Sequence, residues 1–176
     1  MNEMEKQKIP LEVADVLITS HFAYLCTTDR NNQPHITPMF FVFDSKTNEI
    51  YCTASSESKK MRNIHENPKI SLTVDVRDEK NPFNNRGVMV QGKAIVHYAI
   101  DALPHLEDRK PSKVYLSFKN KYPILQSTQS HALIAEYKKF SESLIRISPQ
   151  KMVYWRGTHF VTINFSEHKI DQIFRK

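Results

Sequence analysis

The chain is poor in glycine: among its 176 residues only Gly87, Gly92 and Gly157 occur. A dinucleotide-binding turn clusters three glycines at the start of a helix, and no such cluster is present. Collagen-like, glycine-linker and solenoid architectures fall with it, and there is no internal repeat. Cysteine is scarce as well. Cys26 and Cys52 form no CxxC pair and no His/Cys ligand spacing, so no metal site is expected. Both lie in apolar runs, where a free thiol behaves as a small hydrophobe. No apolar run is long enough to span a membrane, and residues 1–9 are too charged for a signal peptide. The expected compartment is therefore the reducing cytoplasm, with no membrane partner. Blocks of like charge are also missing. The net charge of +6 is spread along the sequence, which reads as a mildly basic surface with no nucleic-acid stripe.

What is present describes one globular domain over residues 1–176. Hydrophobic residues at 40% and charged residues at 25% suffice for a buried core and exclude a disordered tail. Pro10 opens a helix through residue 18, with Leu11, Ala14, Leu17 and Ile18 on one face. Strands follow over residues 22–28, 35–43 and 50–53, separated by the polar turns 29–33 and 44–48. Two successive hairpins of this spacing indicate an antiparallel sheet. Residues 56–66 read as a short helix with a serine cap, ended by Asn67-Pro68. Further strands are expected at 69–76, 87–98, 143–148 and 151–156. A helical insert over about residues 100–141 would contain helices at 114–122 and roughly 126–139. Residues 39–43 are apolar on both faces, which suits a closed barrel or a sheet covered on two sides. The fold class is α+β and predominantly β.

Gly87-Val-Met-Val-Gln-Gly-Lys-Ala has the spacing of a P-loop up to its last position. A P-loop needs a hydroxyl there for magnesium, and Ala94 has none. The Val-Met-Val interior also favours a pleated strand. The stretch from Thr53 to Asn63 is more informative. A helix N-terminus carries unpaired amides and partial positive charge, and prefers carboxylates nearby. This one carries Ser56, Ser58, Lys59, Lys60 and Arg62 instead. Either an anion neutralises the cluster, or the lysines project into solvent from a short exposed helix.

Six segments, read together, carry a resemblance. They are Ala23-Tyr-Leu-Cys-Thr-Thr, Gln33-Pro-His-Ile-Thr-Pro-Met-Phe-Phe, Ile50-Tyr-Cys-Thr, Lys60-Met-Arg-Asn-Ile-His-Glu-Asn-Pro-Lys-Ile-Ser-Leu, Val88-Met-Val-Gln-Gly-Lys-Ala and, more weakly, Ile147-Ser-Pro-Gln-Lys-Met-Val-Tyr-Trp. In order and spacing they resemble the pyridoxamine 5′-phosphate oxidase-like family. The resemblance implies an antiparallel, Greek-key-like split β-barrel with peripheral helices, and a homodimer with FMN at the subunit interface. By the same resemblance, the strand His35, Ile36, Thr37, Pro38 and Met39 runs beside the flavin ring. Thr53, Ser58, Lys59 and Lys60 hold the phosphate, Arg62 either reaches the phosphate or serves a dimer contact, and Trp155 lies close to the ring.

The implied activity is a flavin-dependent oxidoreductase, moving a hydride to or from an unidentified small molecule. A deazaflavin-dependent (coenzyme F420) reductase and a non-catalytic flavin-binding protein are the alternatives. Two departures argue against the vitamin-forming oxidase reaction. The family's C-terminal arginine and histidine segment has no copy after Arg156, and Gly87 stands where those enzymes use a glutamine. No acid or base residue is assigned. His35 reads first as a strand histidine bonded to a backbone group, and His65 as a surface residue at a helix C-terminus. His131 and Tyr137 are candidates for a substrate mouth, though Tyr115, Tyr122 and Tyr137 suit helix packing equally.

Overall fold

The computed structural model describes residues 9–98, 113–126, 143–165 and 170–175. Helix α1 (Leu11–Thr19) leads into the meander β1 (Phe22–Thr28), β2 (Pro34–Asp44) and β3 (Glu49–Ala54). Helix α2 (Lys59–Glu66) connects to β4 (Lys69–Val76) and β5 (Arg86–Tyr98). Helix α3 (Lys113–Lys121) precedes β6 (Ser143–Arg156), β7 (His159–Phe165) and β8 (Ile170–Arg175). All pairings are antiparallel in the order β3-β2-β1-β4-β5-β6-β7-β8, and β3 also pairs with β6. That additional pairing closes six strands into a barrel, and β7 and β8 extend the sheet beyond it.

Alternation along the strands fills the barrel. Ala23, Leu25, Phe41, Ile50, Cys52, Leu72, Val74, Val88, Val90, Ile145 and Ile147 are buried in one core with Met61 and Ile64 of α2. The two-faced apolar run in β2 has a simple cause. Met39 and Phe41 face this core, while Val42 joins Phe118 and Tyr122 in a second cluster under α3.

Three sequence expectations change. The buried face of α1 is Val13, Val16 and Leu17, whereas Leu11 is 85% and Ile18 52% exposed. The positions 13, 16 and 17 satisfy the same helical spacing, and the barrel selects that face. The strands expected at 143–148 and 151–156 are one strand, β6, paired to β5 along its length. The register shift opposite Gln91 and Gly92 leaves Gln150 unpaired beside Pro149, and a bulge is where a sheet tolerates proline. Gly92 is required there, because a Cβ would run into the Ser148 carbonyl. Finally, β7 and β8 were not anticipated by the sequence pattern. The P-loop-like stretch lies within the pleated β5. The helix expected at 126–139, with His131 and Tyr137, lies outside the described residues.

Candidate functional site

Helix α2 is held against the end of β1 by side chains. Asn63 Nδ2 donates to the Oγ1 of buried Thr27 (3.0 Å), and Asn67 Nδ2 donates to Thr28 Oγ1 (2.8 Å). The Arg30 amide donates to Glu66 Oε2 at 3.2 Å. Met61 and Ile64 bury the opposite face in the barrel core. The helix starts at Lys59, five residues after Ala54 ends β3. Its first turn contains no carboxylate.

The cationic cluster expected there divides into two groups. Lys59 and Arg62 line a shallow cleft with Asp29, Arg30, Asn31, Asn63 and Glu66. The Lys59 ammonium stands 3.9 Å from the Asp29 carboxylate, and Arg62 Nη1 donates to the Glu57 carbonyl at 2.7 Å. Lys60 is placed differently. It is half-buried, its pKa is drawn below the ordinary value by burial, and only the nearby Cys52 thiol opposes that shift. Among the described residues no hydrogen bond or ion pair engages its ammonium. Ser58 occupies the N-cap position, but its side chain does not cap the helix. Its Oγ is buried and makes no hydrogen bond among the described residues. Among the described residues, a cation without a counter-ion and a buried hydroxyl without a partner thus stand at the open end of a helix, an arrangement that an anion would suit.

The remaining expected residues lie along adjoining strands. His35, Ile36, Thr37, Pro38 and Met39 pair with Thr27, Cys26, Leu25, Tyr24 and Ala23 of β1. Ile36 and Pro38 face outward, Met39 faces the core, and Thr37 Oγ1 donates to Met39 Sδ at 3.7 Å. The imidazole of His35 makes no hydrogen bond among the described residues, contrary to the expected backbone pairing. Thr53 is half-buried on β3 opposite Leu144. Trp155 lies on β6 opposite Gly87, away from α2 along the sheet. A Cβ at Gly87 would collide with the Trp155 six-membered ring and approach the Val74 carbonyl to 2.6 Å. Gly87 thus provides the space for the indole, a pairing that only strand register reveals. His65 is exposed in the last turn of α2, as expected. Tyr122 is buried and Tyr115 is 54% exposed.

A second half-buried lysine was not anticipated. Lys121, at the end of α3, donates to the Leu17 carbonyl (3.1 Å) and places its Nζ 3.7 Å above the Phe41 ring. Burial lowers its pKa from 10.5 to about 8, with Cys52 opposing. Burial in turn pushes the Cys52 thiol from 9.0 up to about 12. Between about pH 8 and 10.5 the unfolded chain binds more protons at Lys121 than the folded one, so Lys121 makes stability rise with pH there. Above 9.0 the folded chain holds the Cys52 proton that the unfolded chain loses, which acts in the opposite direction. The thermal midpoint should therefore climb from pH 8 to about pH 9, and Lys121→Met should flatten that climb. Scanning calorimetry across this range checks both.

A family profile for pyridoxamine 5′-phosphate oxidase matches residues 9–156. The chain belongs to that family. Its barrel is also found in solved structures of low identity. A conserved hypothetical protein from Mycobacterium tuberculosis superposes with a TM-score of 0.62 at 20% identity, covering 90% of this chain and 91% of that one. A pyridoxamine 5′-phosphate oxidase-related, FMN-binding protein from Nostoc punctiforme gives 0.58 at 10% identity, covering 94% and 92%. A structure titled F420 reductase gives 0.57 at 19% identity, covering 82% and 98%. No curated protein matches the chain. Among the described residues, no helix is long and apolar enough to cross a membrane, and no group of three or more His, Cys, Asp or Glu side chains is placed to hold a metal ion.

Proposed function

We propose that this chain is a flavin-dependent oxidoreductase that binds FMN at the interface of a homodimer and moves a hydride to or from a small molecule. The observation that carries this reading is the unsatisfied pair at the start of α2, the half-buried Lys60 ammonium and the buried Ser58 Oγ. Both suit a phosphate, which accepts charge-assisted hydrogen bonds. Lys60, Ser58 and Thr53 would hold that phosphate, with Lys59 turning from Asp29 to join them and Arg62 nearby. The β2 segment His35–Met39 would flank the ring through its backbone, and Trp155 would supply an aromatic contact. Bound flavin would supply the hydride chemistry, while the protein orients it and shapes access to it. A deazaflavin coenzyme is the second reading, favoured by the neighbour titled F420 reductase.

The outer face of β1 and β2 supports a dimer. Its facing pairs are Phe22 with Phe40, Tyr24 with Pro38 and Cys26 with Ile36. Phe22 is 55% and Ile36 63% exposed, and a contiguous apolar face of this kind suits a protein partner. A second copy there would wall the same β2 segment that flanks the ring. Light scattering of the purified chain should give twice the monomer mass, and Ile36→Asp should give a monomer with weakened FMN binding. Reduction of bound flavin by NAD(P)H or a substrate panel tests turnover. Tight binding without any reduction would leave a flavin-binding protein instead of an enzyme.

A further inference from the structure

The last rung of the β1–β2 ladder pairs Phe22 with Phe40. The next residue of β2, Phe41, would face His21, which precedes β1. A side chain occupies this rung. The Tyr122 hydroxyl accepts from the Phe41 amide at 2.9 Å. It also lies 2.9 Å from the Phe41 carbonyl and 2.7 Å from the His21 carbonyl, to either of which its proton can be given. The phenol thus bridges the two chain segments at the point where β1 stops serving β2. The ring is buried, set edge-on to Phe40 at 5.0 Å and packed on Phe118. The preceding residue grips Phe41 a second time, through the Lys121 ammonium above its ring. Two consecutive residues from the chain between β5 and β6 therefore fix the backbone and side chain of one β2 residue.

We propose that Tyr122 is a positioning residue for the cofactor-flanking segment of β2, a role that rests on the flavin reading of that strand. Phe41 lies two residues beyond Met39, and a strand transmits displacement along its backbone. Without the phenol, a buried amide and carbonyl lose their partner, and such groups are expensive to leave unpaired. The upper part of β2 would then separate from the end of β1, and the geometry of His35–Met39 would loosen with it. The segment carrying α3 would in this way couple its own docking to cofactor binding.

Amide hydrogen exchange tests the first half on the unaltered full-length chain. The Phe41 amide should be protected as strongly as that of Leu25, and rapid exchange at Phe41 would overturn the bridging role. Tyr122→Phe keeps the ring and removes the hydroxyl. It should speed exchange at Phe41 and Met39, leave β4 and β5 protected, weaken FMN binding about tenfold and alter the absorption band of bound flavin. Ile163→Val, in the barrel-side core on β7, serves as the control for simple loss of packing: it should lower the thermal midpoint while leaving FMN affinity and the flavin band unchanged. Equal FMN affinity in the wild type and Tyr122→Phe would overturn the positioning role and leave the flavin reading intact. A wild-type chain that binds neither FMN nor coenzyme F420 would overturn both.

Discussion

Replacing Lys60 with alanine should weaken FMN binding by about 10- to 100-fold and leave the thermal midpoint unchanged or slightly raised. A hydrogen bond to a charged group contributes about 1.5–3 kcal/mol, and each 1.4 kcal/mol is about tenfold in affinity. The stability side follows from the surroundings of the ammonium. It is half-buried with no carboxylate against it among the described residues, and burial already lowers its pKa. The substitution therefore relieves an electrostatic cost while losing the packing of a short aliphatic stem. Lys59→Ala is the matched comparison. Its side chain is 45% exposed beside Asp29, so its loss should have the smaller effect on binding. Titration of each variant with FMN, alongside a thermal melt, separates the two roles. Parallel losses of affinity and stability at Lys60 would mark it as a structural lysine.

Gly87→Ala should cost about 1–3 kcal/mol of stability, as expected for overpacking, and should displace Trp155. The new methyl group would meet the indole on one side and the Val74 carbonyl, at 2.6 Å, on the other. The carbonyl belongs to β4, which pairs with β5 at this very position through Asp75 and Gly87, so the backbone has little room to yield. The indole moves instead. Trp155 is the only tryptophan in the chain, and its fluorescence reports that movement without interference. A shifted emission maximum, a lower thermal midpoint and weaker FMN binding are expected together. Unchanged emission would show that the indole does not depend on the glycine.

The sequence makes most of the barrel legible because alternation and turn chemistry are local properties. β1 and β4 fall within their expected bounds, β2, β3 and β5 differ by a residue at one or both ends, and α2 stops at Asn67 as expected but starts at Lys59, three residues later than expected, without a serine side-chain cap. What was hidden depends on contacts between distant parts of the chain. Leu11 and Ile18 were expected on the apolar face of α1, and the barrel instead buries Val13 and Val16 beside Leu17. Residues 143–148 and 151–156 read as two strands in sequence, yet pairing with β5 carries one strand through Pro149 as a bulge. The division of the cationic cluster was equally hidden, since the Asp29 that faces Lys59 and the Glu57 carbonyl that faces Arg62 are defined by the folded turns. Tyr122 and Lys121 read as ordinary helix residues, because nothing local announces that β1 stops one residue short of Phe41.

The central claim is that a phosphate-bearing flavin binds at Lys60 and Ser58. Calorimetric titration of the purified chain with FMN and with riboflavin, which has the same ring without the phosphate, tests it most directly. FMN should bind with a stoichiometry of one per chain and at least tenfold more tightly than riboflavin, and Lys60→Ala should remove most of that difference. Equal affinity for the two ligands, or no binding of either, would contradict it.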